Sequence, residues 1–289
     1  MARLYPHLPG SDPLLIIRFV IRIKDKYNFL SMPPRYPIPW STLFRLSSAM
    51  LRQRPLSFRA EALQSVQRIR PGDGASQPFL VSGSEFIPSS GPCLLVANHY
   101  TRPGFHSWWL VLSISALIPF EVHWVVSAGW NFAGRQVARL TRVLFPRMAG
   151  VYGFTAMPPM PPDPAEVVPR ATAIRRVLHY VRTASQPVVG LTPEGQDEEQ
   201  GILQMPPPGS GRFMLQLAKY GLEVVPAGIY EAAGSLCVHF GPHFYLEPGS
   251  GMAADERDRQ TSCQVMSAIA GLLPEGLRGE FGQETSRKR

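Results

Sequence analysis

The feature that most constrains the fold is an alternation of short apolar runs with longer amphipathic runs through the middle of the chain. The short runs are typical of buried strands, and the longer runs are typical of helices that pack on a sheet. The predicted strands cover residues 93–97, 122–127, 187–191, 223–229 and 236–240. The predicted helices lie within 105–117, near 135–144, around 165–183, at 211–220 and over about 255–273. We therefore predict an α/β fold with a mixed, largely parallel central sheet flanked by helices.

The chain divides into three parts by composition. Residues 1–70 are basic and favour helices, and the turn-rich stretch 71–77 marks the entry into the main domain. We predict an α/β domain over residues 71–275 and a polar tail over 276–289. A length of 289 residues agrees with one large domain of this kind.

Two segments of the basic region are candidates for lying at a membrane surface. The apolar run 14–30 is interrupted by four basic residues, so it cannot span a bilayer, but Arg18 and Arg22 share one helical face. The segment 40–51 carries Phe44 among its apolar anchors. The alternative is that both segments pack on the domain as ordinary helices or strands.

The charge balance favours anionic partners without identifying one. Lysine and arginine number 29 against 21 acids, and all but four of these cations are arginines. Arginine suits phosphate groups or an anionic surface, although a solvated basic surface explains the composition equally well. No clustered stripe of basic and aromatic residues supports nucleic-acid binding. Three cysteines without a paired spacing predict neither a disulfide framework nor a metal site.

Polar residues follow three of the predicted strands, where α/β sheets bind their ligands. They are Asn98-His99, Pro193-Glu194-Gly195 and Pro226. A histidine at a strand end can act as a general base, because imidazole gains and loses a proton near neutral pH. A structural histidine is the other interpretation. The sequence patterns of serine hydrolases, P-loop proteins, dinucleotide-binding proteins and zincins are missing.

In this order, the motifs resemble those of the glycerolipid acyltransferase superfamily, of the lysophosphatidic-acid acyltransferase type. The matching segments are PCLLVANHYTRPGF (92–105), VVGLTPEGQ (188–196), GSGRFMLQLAKYGL (209–222) and GLEVVPAGIY (221–230). The resemblance covers roughly residues 75–245 and implies transfer of an acyl group from a thioester to a hydroxyl. The donor would be acyl-CoA or an acyl carrier protein, and the acceptor would be a lipid or a polyol. No cofactor and no metal ion is implied.

The resemblance also assigns roles to residues of this sequence. His99 would be the general base that deprotonates the acceptor hydroxyl. Glu194 is predicted as the second catalytic residue, on the acceptor side of the site. The residues predicted to bind substrate are Asn98, Arg102, His106, Pro193, Gly195, Gln196 and Pro226.

Two departures from the family pattern bear on the activity. The family has an aspartate five residues after the histidine, and this chain has Gly104 there. His106 or Glu194 are the alternatives for orienting the imidazole. The family continues Glu-Gly-Thr-Arg, and this chain has Gln196-Asp197 after Gly195. The arginine suited to an acceptor phosphate is therefore missing, so we expect an acceptor other than glycerol 3-phosphate or lysophosphatidate.

Two hypotheses follow. The first is an acyltransferase, peripheral at the cytoplasmic face of a membrane, with His99 as its base. The second is a catalytically degenerate relative that binds lipid or serves as a scaffold. It is favoured by Gly104 and by the missing arginine.

Overall fold

The structure is a computed structural model that describes residues 35–37, 40–130, 134–160, 163–195, 200–247 and 251–282. Seven strands form one sheet in the order β1-β7-β6-β2-β5-β3-β4. The strands are β1 (Phe79–Ser82), β2 (Cys93–Ala97), β3 (His123–Ser127), β4 (Thr155–Met157), β5 (Val188–Leu191), β6 (Glu223–Ala232) and β7 (Ser235–Phe240). All neighbours are parallel except the β6–β7 hairpin, so the predicted α/β fold with a mixed, mostly parallel sheet is confirmed.

Helices cover both faces of the sheet. They are α1 (Trp40–Arg52), α2 (Phe58–Val66), α3 (Trp108–Leu117), α4 (Gly134–Val151), α5 (Val167–Thr183), α6 (Ser210–Ala218) and α7 (Ala254–Ala270). Helix α2 packs on α3, α1 on α4, and α6 on α7. Within the described residues, every helix is too short or too polar to cross a membrane.

Strand β2 is buried on both faces, which explains its unbroken apolar sequence. Successive side chains of a strand point to opposite faces of the sheet. Leu95 therefore joins a cluster with Trp109 of α3, whereas Leu94 and Val96 join a second cluster with Val265 of α7. The middle strand thus anchors both layers of helices, and its carboxyl end has a fixed position.

The sequence missed two strands, β1 and β4. Both lie at the edges of the sheet. β1 is four residues long and exposed at its last three, and β4 has only three residues. Strands of three or four residues are too short for an alternating pattern to be recognised in the sequence. The segment 14–30 lies outside the described residues, and the segment 40–51 forms most of α1.

His123, at the start of β3, is held uncharged inside the fold. Its Nε2 lies 2.9 Å from Thr155 Oγ1, and its ring stacks on Tyr180 with a centroid distance of 4.2 Å. Burial lowers the pKa of His123 from 6.5 to about 4, against the opposing effect of a backbone hydrogen bond at Gly153. The folded protein therefore disfavours the imidazolium form at this position.

This pKa predicts a loss of stability in acid. Between pH 6.5 and 4 the unfolded chain protonates His123 and the folded chain does not, so the free energy of unfolding falls as the pH falls through that window. The loss from this group reaches about 3 kcal/mol near pH 4. Urea unfolding at pH 7 and at pH 4.5 measures it, and the variant His123→Gln should lack this part of the pH dependence. Equal pH dependence in both proteins would contradict the assignment.

Candidate active site

The parallel strands β2, β5, β3 and β4 end at one edge of the sheet, and the predicted motifs lie there. β2 pairs with β5, with Val96 opposite Leu191. Asn98 and His99 follow the end of β2, and the Thr192–Gly195 turn follows the end of β5. The structure therefore brings the Asn-His and Pro-Glu-Gly motifs side by side.

Asn98 continues the pairing of β2 with β6 beyond the end of the strand. Its Nδ2 donates to the Ile229 carbonyl at 2.8 Å, and its Oδ1 accepts from the Ile229 N–H at 2.8 Å. The side chain is 1% exposed. The side-chain amide of Asn98 thus makes the two hydrogen bonds that a backbone amide would make in the sheet. These bonds fix the position at which His99 follows the strand.

Glu194 is a buried carboxylate that binds two backbone amides. Its Oε2 accepts the N–H of His99 at 2.5 Å, and its Oε1 accepts the N–H of Gln204 at 2.8 Å. The residue is 3% exposed. Hydrogen bonds to a charged acceptor are strong when they are buried. Glu194 therefore connects the end of β5, the end of β2 and the loop before α6. Its bond to His99 is to the backbone N–H, and a role in orienting the imidazole stays a prediction.

The loop at 200–205 lies against the chain that follows His99. Gly201 has φ of 66°, and a Cβ built there would lie 2.5 Å from Tyr100 Cδ2. Only glycine permits both that backbone angle and that approach. Gln196 lies outside the described residues, so its predicted role in substrate binding stays a prediction.

The position of the family aspartate is part of a tight turn. Phe105 N–H donates to the Arg102 carbonyl at 2.9 Å, and Gly104 has φ of 85°. Proline followed by a glycine of positive φ is typical of a type II turn, and the two central residues here are Pro103 and Gly104. A residue with a Cβ is strained at that angle. An aspartate could not simply be placed at position 104 without a cost to this turn.

Glu231, near the end of β6, holds together three residues that are distant in sequence. Its Oε1 accepts from Arg35 Nη1 at 2.5 Å and from the Tyr36 hydroxyl at 2.5 Å, and its Oε2 accepts from Arg102 Nε. The Glu231 side chain is 7% exposed. Burial and the hydrogen bond to Glu231 raise the pKa of the Tyr36 hydroxyl. The predicted substrate-binding residue Arg102 is thus paired with a carboxylate that sequence reasoning missed.

We expect the variant Glu231→Gln to lower the free energy of unfolding by about 3 kcal/mol, because it leaves two partly buried arginines facing a neutral amide. Chemical denaturation followed by tryptophan fluorescence measures this loss. The matched control is Glu85→Gln, since Glu85 is exposed and should change stability by less than about 0.5 kcal/mol. Equal stabilities of the two variants would contradict the role given to Glu231.

The other predicted residues differ in their surroundings. The His106 ring stacks on Trp108, with a centroid distance of 4.2 Å. Pro193 is buried in the turn after β5, and Pro226 is buried within β6 opposite Val96. None of these contacts tests a role in substrate binding.

Pro226 lies at a bulge between β6 and the chain beyond β7. Ala227 pairs with Phe240, whereas Val224 pairs with Phe244. The segment 240–244 therefore has one more residue between the two pairs than the facing part of β6. A proline has no N–H to donate, and such a break in the ladder accommodates it. The Val-Pro motif therefore has a structural explanation in this fold.

The Cys93 thiol, inside β2, is not a reactive group. Burial, with a smaller contribution from the charge of Glu223, raises the pKa of the Cys93 thiol to about 12, so it is not a nucleophile at neutral pH. Over the part of the chain that the structure describes, no three His, Cys, Asp or Glu residues form a group able to hold a metal ion.

Comparison with known proteins finds similar solved structures but no matching sequence family. No family model matches the chain, and no curated protein matches it. The crystal structure of the 1-acyl-sn-glycerophosphate (LPA) acyltransferase PlsC from Thermotoga maritima is similar, with 13% sequence identity and a TM-score of 0.47. The match covers 90% of this chain and 95% of that chain. A likeness this loose assigns neither residue roles nor an activity to the present protein.

Proposed function

We propose that this protein transfers a fatty acyl group from acyl-CoA or an acyl carrier protein to a hydroxyl of a lipid or polyol. The observation that carries the proposal is the placement of His99. It follows the central strand β2, and its backbone N–H is bonded to the buried carboxylate of Glu194. This position, at the edge of the sheet where α/β proteins bind their ligands, supports His99 as the proposed general base.

In the proposed reaction, the His99 imidazole takes the proton of the acceptor hydroxyl. The oxygen then attacks the thioester carbonyl, the carbon–sulfur bond breaks, and the imidazolium returns its proton to the departing thiolate. An ester and a free thiol result. Glu194 acts as a positioning residue, because both of its oxygens accept backbone amides.

We propose an acceptor without a phosphate group, which excludes glycerol 3-phosphate. The support is the sequence after Gly195, which carries Gln196-Asp197 in place of the family arginine. Arg102, the nearest basic residue after His99, is already paired with Glu231. A neutral alcohol needs no cation at this position.

We also propose that the protein is peripheral at the cytoplasmic face of a membrane. Helix α1 supports this, because Phe44 is 77% exposed and Leu51 is 46% exposed, and seven residues separate them along one helical face. The exposed Arg52 and Arg54 follow directly, and cations favour the anionic lipids of that leaflet. Apolar side chains beside arginines suit the membrane interface.

The second candidate function is a catalytically degenerate protein that binds lipid or serves as a scaffold. It is favoured by one observation, the turn at Pro103-Gly104 in place of the family aspartate. In Ser-His-Asp triads, replacing the aspartate lowers the rate by about 10⁴-fold, so the absence of the family aspartate at this position favours a loss of activity. This candidate predicts binding of an acyl ligand without turnover.

Label transfer distinguishes the two candidates. The protein is incubated with long-chain acyl-CoA labelled in its acyl group and with extracted membrane lipids, and in parallel with labelled acyl carrier protein. Acyl transfer predicts a labelled lipid that mild alkali cleaves, as expected for an ester. Unlabelled lipid with both donors, from folded protein that still binds the acyl ligand, would support the second candidate.

A further inference from the structure

Arg170 of α5 reaches the edge of the sheet beside the Pro-Glu-Gly turn. Its Nη2 donates to the Pro159 carbonyl at 3.0 Å, and its Nη1 lies 3.6 Å from Met160 Sδ. Met160 in turn lies against the turn, since a Cβ built on Gly195 would be 3.2 Å from Met160 Cγ. A single methionine therefore separates the guanidinium from the turn that holds His99.

Arg142 of α4 comes to the same edge from the neighbouring strand connection. Its side-chain stem crosses the loop after β3, where a Cβ built on Gly129 would lie 2.7 Å from Arg142 Cγ. Its Nη2 lies 3.1 Å from Glu166 Oε1, and Arg170 Nη2 lies 3.9 Å from Glu166 Oε2. Two guanidinium groups thus lie within 4 Å of one carboxylate in this cluster.

We propose that Arg170, with Arg142, binds a phosphate group of the thioester donor. This inference rests on the proposed acyl transfer and adds the site of the donor. CoA and the prosthetic arm of acyl carrier protein both carry their thiol on 4′-phosphopantetheine, which ends in a phosphate. The phosphate is therefore common to both donors, and the pantetheine arm places it away from the reacting carbonyl. Arg170 is also set apart from His99, because Glu194, Gly195 and Met160 lie between them in the series of contacts.

The chemistry of the cluster suits a phosphate better than further protein contacts. A guanidinium has five N–H donors in a planar fork that matches phosphate oxygens. The bonds of Arg170 to described residues use one N–H on each terminal nitrogen. The side chain is 23% exposed, so the charge is partly desolvated but still accessible. Partial desolvation strengthens the attraction for an anion.

Direct binding tests the proposal without any turnover. Isothermal titration calorimetry measures the dissociation constants of CoA, 4′-phosphopantetheine, pantetheine and glycerol 3-phosphate for the wild-type protein, Arg170→Gln and Arg170→Lys. The matched control is Arg175→Gln, because Arg175 is exposed on the same helix and, among the described residues, its side chain donates to Thr172 of the preceding turn at 3.0 Å. Thermal unfolding of each variant verifies that it is folded.

We expect Arg170→Gln to weaken 4′-phosphopantetheine binding about tenfold or more and to leave pantetheine binding unchanged. Arg170→Lys should recover part of the affinity, because it keeps the charge without the planar fork. A loss with 4′-phosphopantetheine identifies the phosphate shared with acyl carrier protein. A loss confined to CoA places the contact on the other CoA phosphates, so that CoA is the donor.

Two results would overturn the proposal. One is an unchanged affinity for CoA and 4′-phosphopantetheine in Arg170→Gln. The other is a loss of binding to glycerol 3-phosphate alone, which would make the cluster an acceptor subsite. The inference and the proposed function fail separately. Phosphate-dependent binding without label transfer would reject only the activity, and label transfer with unchanged donor affinity would reject only the subsite.

Discussion

Replacing Glu194 with alanine is expected to lower the free energy of unfolding by about 3 kcal/mol. The carboxylate is 3% exposed and accepts the backbone N–H groups of His99 and Gln204. The variant would leave both donors unsatisfied, at a cost of about 1–3 kcal/mol each. Because one of them belongs to His99, the same change should also displace the proposed general base and reduce acyl transfer.

Urea unfolding measures the change in stability, with Glu247→Ala as the control at an exposed glutamate. The control should change the free energy of unfolding by less than about 0.5 kcal/mol. A Glu194→Ala protein as stable as this control would contradict the bridging role.

The variant Glu194→Gln separates positioning from catalysis. Glutamine keeps one oxygen as an acceptor but turns an NH₂ group towards the other backbone N–H, so about half of the stability loss should remain. If Glu194 only positions His99, Glu194→Gln should lower the rate of acyl transfer because His99 is displaced. The pH profile of that rate should then keep its shape. A folded Glu194→Gln protein whose pH profile loses one ionisation would instead give Glu194 a proton-transfer role.

The central strands and the two motifs at their ends could be predicted from sequence because their signals are local. β2 and β5 are unbroken apolar runs, since both of their faces are buried. The polar residues that follow such strands must lie at the carboxyl edge of a parallel sheet. Neighbouring strands then bring Glu194 to His99, although they are 95 residues apart.

The remaining contacts could not be predicted because they depend on the packing of distant segments. Glu231 meets Arg35 and Arg102 across 196 and 129 residues, and no spacing in the sequence signals such a group. Arg170 belongs to a helix with several arginines, and only the contacts with Pro159 and Met160 distinguish it. Short edge strands such as β1 were missed for a different reason, since four residues are too few to establish an alternating pattern.

The largest expected effect on activity is that of His99. An imidazole that takes the hydroxyl proton in the transition state contributes about 10²- to 10⁴-fold to the rate, so His99→Ala should lose at least about a hundredfold. The variant His99→Gln keeps more of the side-chain volume and should lose as much, because an amide cannot act as a base. Both proteins should still bind the thioester donor, since the proposed phosphate contact lies at Arg170.

The most direct test is the initial rate of label transfer from acyl-CoA into lipid for wild type, His99→Gln and His179→Gln. His179 is exposed on α5, so its variant controls for the loss of a histidine elsewhere in the protein. Our account predicts a wild-type rate for His179→Gln and a rate at least about a hundredfold lower for His99→Gln, with both variants folded. A folded His99→Gln protein that transfers label at the wild-type rate would contradict the central claim.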